Sequence, residues 1–197
     1  YGINNIQLVY KKGRRSNVVN TTYSIVDTRM KVNLPKALSA NGGTVGIQID
    51  FSFTSPDYGS DRMGVLETKN GRVFTLAQWY PRMCVYDDVT GWNTLPYLGA
   101  GEFYLEYGTF DINITAPASH IVVCSGALLN PSEVYTEEQQ NRLKLAEASD
   151  ATVMIRSKSE VTKSSSRPTG ASTLTWKFRI ENSRDVAWAS SAAFILD

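Results

Sequence analysis

The residues best suited to chemistry sit in one short stretch, Gln78-Trp79-Tyr80-Pro81-Arg82. An amide, an indole, a phenol and a guanidinium beside a proline can line a concave surface and offer several hydrogen bonds. The same residues also suit a packed β edge with Trp79 or Tyr80 in the core, and the sequence leaves both readings open. The rest of the catalytic inventory is thin. His120 is the one histidine, so neither an H-E-x-x-H zinc motif nor a three-ligand imidazole site can be assembled. It follows Pro117 at the entrance to a strand-like run, and Ser125-Gly126 lacks the nucleophile-elbow pattern, so His120 reads as structural. Glu102 and Glu106 flank Phe103-Tyr104-Leu105, and their even spacing puts both on one face of a regular strand. That suits glycosidic acid/base work or an ordinary solvated face. Asp87-Asp88 before Thr90-Gly91 reads as a turn cap that pairs with Arg82, since a twelve-residue calcium loop is absent.

Strands must position these groups. Residues 5–10, 22–34, 73–76 and 175–180 have β-branched or aromatic character. Val45, Ile47, Ile49, Phe51 and Phe53 alternate with polar neighbours, as do Phe110, Ile112 and Ile114, which marks half-buried strands. Asn41-Gly42-Gly43 and Asn70-Gly71 are turn signals, and Glu102 to Glu106 reads as a further strand. One helix is expected over 137–148. Thr136 is its N-cap, Gln139 completes a capping box, and Leu143, Leu145, Ala146 and Ala148 form its apolar stripe. The Ser/Thr-rich stretch 156–173 reads as a polar hairpin tip. The fold expected is all-β, mainly antiparallel, saddle-like or sandwich-like, with that one short helix, and residues 1–197 read as a single domain.

Composition narrows the partners. Twenty basic against nineteen acidic residues leave +1, without the excess that a nucleic-acid binder uses to neutralise phosphates. The cluster Lys11, Lys12, Arg14 and Arg15 around Gly13 reads as a solvated hairpin turn, with a nucleic-acid or acidic-surface footprint as the minor alternative. No window approaches the length of an apolar membrane span. Cys84 and Cys124 could form one bridge or remain buried thiols. Beginning at Tyr1, the chain reads as a processed or excised piece.

The tract Gln78-Trp79-Tyr80-Pro81-Arg82-Met83-Cys84-Val85-Tyr86-Asp87-Asp88, with Gly91-Trp92-Asn93 and Tyr97-Leu98-Gly99-Ala100-Gly101-Glu102-Phe103-Tyr104, resembles the N-terminal β domain of bacterial aminopeptidase N-like zinc metallopeptidases. The resemblance continues through Asp111 to Pro117, Val122 to Gly126, Thr175 to Asn182 and Arg184 to Ala189, and covers roughly residues 20 to 197. It implies a non-catalytic domain that supports a covalently linked thermolysin-like catalytic domain and lines the pocket for the peptide N-terminus. No cofactor is expected in this chain; zinc is expected in the catalytic domain. By position, Gln78 and Tyr80 stand where that family holds the substrate α-ammonium, although Tyr80 departs from the family's acidic or amide residue. Arg82, Asp87, Asp185 and Trp188 are expected to be structural or to lie at the domain junction. Peptide substrate is the implied ligand, nucleic acid and a membrane span are not expected, and the compartment leans to periplasm, secretion or cell envelope. A stand-alone β-sandwich that binds carbohydrate or another protein is the other reading the residues allow.

Overall fold

The computed structural model describes residues 2–57, 62–96, 98–100 and 103–197. Tyr97, Gly101 and Glu102, used in the reading above, lie outside them. The chain forms two compact units, the first from Tyr1–Thr54 with Trp92–Phe103 and the second from Ser55–Gly91 with Tyr104–Asp197. Mainly antiparallel sheet with a short helical element is what the alternating patterns indicated.

In the first unit β1 (Gly2–Lys12) pairs with β2 (Arg15–Asn20) through the register Lys12↔Arg15. The run over 22–34 is a hairpin rather than one strand. β3 (Tyr23–Val26) and β4 (Arg29–Val32) meet across a turn where Asp27 takes φ 53°. β5 (Gly46–Ser52) adds to the other edge of β1, and its burial alternates as its sequence does, Ile47, Ile49 and Phe51 facing inward. Ile6 and Leu8 are its fully buried apolar side chains.

The second unit holds the main core. β6 (Met63–Thr68) and β7 (Gly71–Leu76) form a hairpin; β8 (Tyr86–Asp87) and β9 (Gly91–Trp92) form a minimal one. β10 (Gly108–Pro117), β11 (Ile121–Cys124) and β12 (Ala127–Leu128) follow. After two helices come β13 (Thr173–Ser183) and β14 (Trp188–Ser191). The sheets run β10-β13-β12 and β11-β14-β7-β6. In β10 Ile112, Ile114 and Ala116 are buried while Asp111, Asn113 and Thr115 face out, the period-two pattern that the sequence carries. Register sets Ile114 opposite Trp176 and Ile112 opposite Phe178. Trp176 is fully buried, with the Tyr135 ring edge-on at 5.1 Å. Residues 103–107 form no strand, and regular pairing starts at Gly108; Glu102, the other member of the face expected from spacing, lies outside the described residues.

Helix α1 (Pro131–Val134) is a single turn; α2 (Glu137–Glu147) carries the expected reciprocal cap between Thr136 and Gln139. Its inward face differs from the expected stripe. Leu143 of that stripe packs against the core, but Leu145 is exposed, and Gln139 is buried and donates to the Ser166 carbonyl at 2.9 Å. That segment is no free hairpin tip. It folds through a short 3-10 turn, Ser164–Ser166, around the buried side chains Arg156 and Arg167.

At Gly126, φ is 94° and an added Cβ would lie 2.4 Å from the Arg179 carbonyl oxygen. Gly126→Ala is expected to cost at least about 2 kcal/mol, since strained backbone and a backbone clash coincide. Urea unfolding checks this; a loss below about 0.5 kcal/mol would show that β12 gives way freely.

Candidate functional site

β7 runs out at Leu76, and Gln78 takes φ 52°, the left-handed region that non-glycine residues adopt at a cost. The chain then lays Trp79, Tyr80, Pro81 and Arg82 along the second unit's core. Trp79 donates its indole N–H to the Val186 carbonyl at 3.3 Å. Its ring meets Tyr80 at 5.1 Å and Trp188 at 6.3 Å, both edge-on, and Tyr80 meets Phe110 at 6.1 Å. Such pairs favour edge contact because a ring's positive rim meets a negative face.

One carboxylate organises the polar side. Tyr80 donates its hydroxyl to Asp185 Oδ1 at 3.0 Å, and Arg82 donates to Asp185 Oδ2 at 2.7 Å. The Val186 backbone N–H also donates to Oδ1, at 2.8 Å. Spacing by two residues brings Tyr80 and Arg82 to the same acceptor. The side chains of Arg82 and Asp185 are 14% and 31% exposed, so the ion pair is sheltered but not sealed. Burial, followed by the bond to Asp185 and the charge it carries, pushes the Tyr80 phenol far above the ordinary range. The phenol is thus a neutral donor committed to the fold. Gln78, by contrast, is half-buried and its amide makes no hydrogen bond among the described residues.

Asp87 departs from the expected pairing. Its carboxylate accepts from the backbone N–H groups of Val89 and Thr90 and from the Thr90 hydroxyl, which hold its pKa down, and Arg82 binds Asp185 instead. Local turn donors lie within three residues, whereas Asp185 is brought in by β14. Trp188, opposite Leu76 and Cys124 in its sheet, helps line an apolar groove of about 350 Å³ with Thr75, Ala77 and Val123. Cys124 also lines it, but burial pushes its thiol up to about 11, which makes it a poor nucleophile. Cys84 and Cys124 are both free.

His120 packs by Phe74 with Nδ1 2.8 Å from Ser190 Oγ. Burial first, and then the Arg167 charge, lower its pKa. Ser190 is buried, so this contact fills a packing role. Among the described residues no group of three His, Cys, Asp or Glu could hold a metal.

A polar cavity of about 600 Å³ lies between α2 and the 157–166 segment, and sequence reasoning missed it. Arg142 binds Glu160 at 2.8 Å, Glu138 one helical turn away, and the Ile155 carbonyl. Glu138 and Arg142 stand at i and i+4 of the helix, the spacing at which such side chains meet. Glu160, hydrogen-bonded by Arg142 first and then by Ser157, has its pKa lowered to about 2.

A carboxylate with a lowered folded pKa stabilises above its unfolded value and loses that contribution as pH falls through the folded one. Glu160→Gln is therefore expected to flatten the stability profile between about pH 4.5 and 2. Urea midpoints across that range check it, and a profile as steep as the parent's would contradict it. Tyr80→Phe should cost about 1–2 kcal/mol near neutral pH. Because the Tyr80 pKa is raised, its contribution is complete below about pH 10 and fades above it, so the parent and Tyr80→Phe should converge at alkaline pH. In comparisons with family models, with curated proteins and with solved structures, the chain finds no match.

Proposed function

We propose that this chain is a non-catalytic N-terminal β domain of a zinc-dependent aminopeptidase-like protein, supporting a catalytic domain and lining the pocket for a peptide's N-terminus. The observation that carries the reading is the contrast between Gln78 and its neighbours. Tyr80 and Arg82 are fastened to Asp185, while the amide of Gln78, on a backbone held left-handed, makes no hydrogen bond among the described residues. An amide oxygen so placed can accept from an α-ammonium, and the fastened neighbours keep it in position. Its contribution is orientation of the peptide terminus, a proximity effect. Zinc bound by the catalytic domain would polarise the scissile carbonyl and activate water.

A second observation supports a covering domain. In the second unit Met83, Val89 and Tyr104 are exposed, Val89 at 87%. Large apolar side chains left in water suit a surface that another domain covers.

In the protein containing both domains, Gln78→Ala is expected to raise KM for aminoacyl substrates about tenfold while kcat changes less than twofold, the loss of one hydrogen bond to a charged group. Unchanged KM removes Gln78 from the pocket. A parent reading frame with no H-E-x-x-H within about 300 residues downstream removes the whole reading. In that event glycan titration followed by tryptophan fluorescence tests the carbohydrate-binding alternative.

A further inference from the structure

The first unit carries a charge imbalance that the chain total hides. Its segments contain seven Lys or Arg against three Asp or Glu, while the second unit has thirteen against sixteen, so +4 and −3 make up the net +1. The excess concentrates at one point. β1 and β2 meet at the run Lys11-Lys12-Gly13-Arg14-Arg15, and residues 1–26 contain no Asp or Glu.

The turn itself has the two-residue geometry that right-twisted hairpins favour. Gly13 has φ 60° and Arg14 stays outside the left-handed region, a pattern of the II′ kind that needs glycine first. This turn places Lys12 directly opposite Arg15 in register. Like charges opposite one another destabilise a ladder. Lys11, Arg14 and Arg15 are exposed, and none of the three is paired with a carboxylate among the described residues. The acidic residues of β3, β4 and β5 and their turns are engaged elsewhere. Asp27 pairs with Arg29 at 3.7 Å, and Asp50 accepts from Asn5 at 3.3 Å. Asn5 lies seven residues before Lys12, about 23 Å along the strand, well beyond the roughly 8 Å over which physiological salt lets exposed charges interact.

We infer that the β1–β2 hairpin tip is a docking site for an anionic lipid surface, with Lys11, Arg14 and Arg15 meeting lipid phosphates or carboxylates. Exposed Lys and Arg near such a surface bind it by additive electrostatic attraction. An apolar step adjoins the cations on one side: Val18, half exposed, stands opposite Val9, and by strand alternation Lys11 shares the face of Val9. Cations beside a valine suit the boundary between headgroup and acyl chain. A polynucleotide would use more phosphate contacts than four cations supply and would have no use for the valine. The inference does not depend on the aminopeptidase reading.

The test is co-sedimentation of the full chain with vesicles of phosphatidylcholine containing 30 mol % phosphatidylglycerol, against phosphatidylcholine alone. Binding is expected only to the anionic vesicles, to fall steeply between 0.05 and 0.5 M salt, and to weaken about 30-fold in Arg14→Gln/Arg15→Gln, roughly five-fold per cation. In low salt the same double variant should melt at a higher temperature than the parent, because like-charge repulsion at the turn is relieved. That readout also shows that the variant is folded. Equal sedimentation with neutral vesicles, or a double variant that binds as the parent does, overturns the inference. Tighter binding to a 20-nucleotide DNA or to a poly-glutamate peptide than to anionic vesicles, measured in the same buffer, overturns the lipid assignment.

Discussion

The second unit depends on how it satisfies backbone carbonyls that no sheet reaches. Buried C=O groups must find donors, and a segment outside regular structure brings its own deficit. Arg156, almost wholly buried, supplies four bonds: to Ser166 Oγ and to the carbonyls of Val161, Ala192 and Phe194. Arg167 donates to the carbonyls of Ala118 and Val134 and lies over the Trp176 ring, 5.6 Å from its centre. Burial lowers both pKa values, Arg167 to about 10, so both remain cations at neutral pH. Carbonyl dipoles and an aromatic face take the place of direct carboxylate partners. A lysine offers a point charge where these positions need a planar fork with several fixed donors.

That arrangement reaches the candidate site through the strand it anchors. Arg156 holds the tail just beyond β14, where Ile155 and Arg156 also exchange backbone bonds with Leu196. β14 in turn sets Trp188 against Leu76 of β7. The chain enters β14 through Asp185 and leaves β7 through Gln78, so adjacent strand ends bring the carboxylate to Tyr80 and Arg82. A sheltered ion pair of this kind adds little net stability over a well-packed apolar substitute, yet losing one partner is costly because the other is left uncompensated. Its value lies in fixing which side chains are engaged: Tyr80 and Arg82 are bound to Asp185, and the Gln78 amide makes no hydrogen bond among the described residues.

The sequence made legible whatever follows from periodicity and local chemistry. Alternation in β5 and β10, the strand around Trp176, the asparagine-glycine hairpin and the Thr136–Gln139 cap all depend on residues close together in the chain. The misread features depend on long-range choices. Arg82 had a nearby carboxylate in Asp87 and took Asp185, more than a hundred residues away, because turn donors had already claimed Asp87. The stretch 156–173 looked solvated since arginine and serine usually are; nothing local shows that a guanidinium will be buried among carbonyls. Leu145 looked like part of a docking face because its spacing fits one, but of that stripe Leu143 packs on the core while Leu145 is exposed, and the polar 157–166 segment takes Gln139.

The first unit is held by different forces, and this explains why it tolerates charge that the second unit would have to neutralise. Its fully buried apolar residues are Ile6 and Leu8, so side-chain burial alone contributes only a few kcal/mol, about 1.5–3 for each. What β1 has in abundance is pairing: six register partners in β2 and seven in β5. A backbone ladder is indifferent to side-chain identity at positions that face water, so four cations can crowd its turn without disturbing the pairs further along. In the second unit a cation that enters the structure must be met by carbonyls, an aromatic face or a carboxylate, as Arg156, Arg167 and Arg82 are. The buried arginines of the second unit thus hold its fold, whereas Lys11, Arg14 and Arg15 of the first face solvent, and that charge is the part open to a partner.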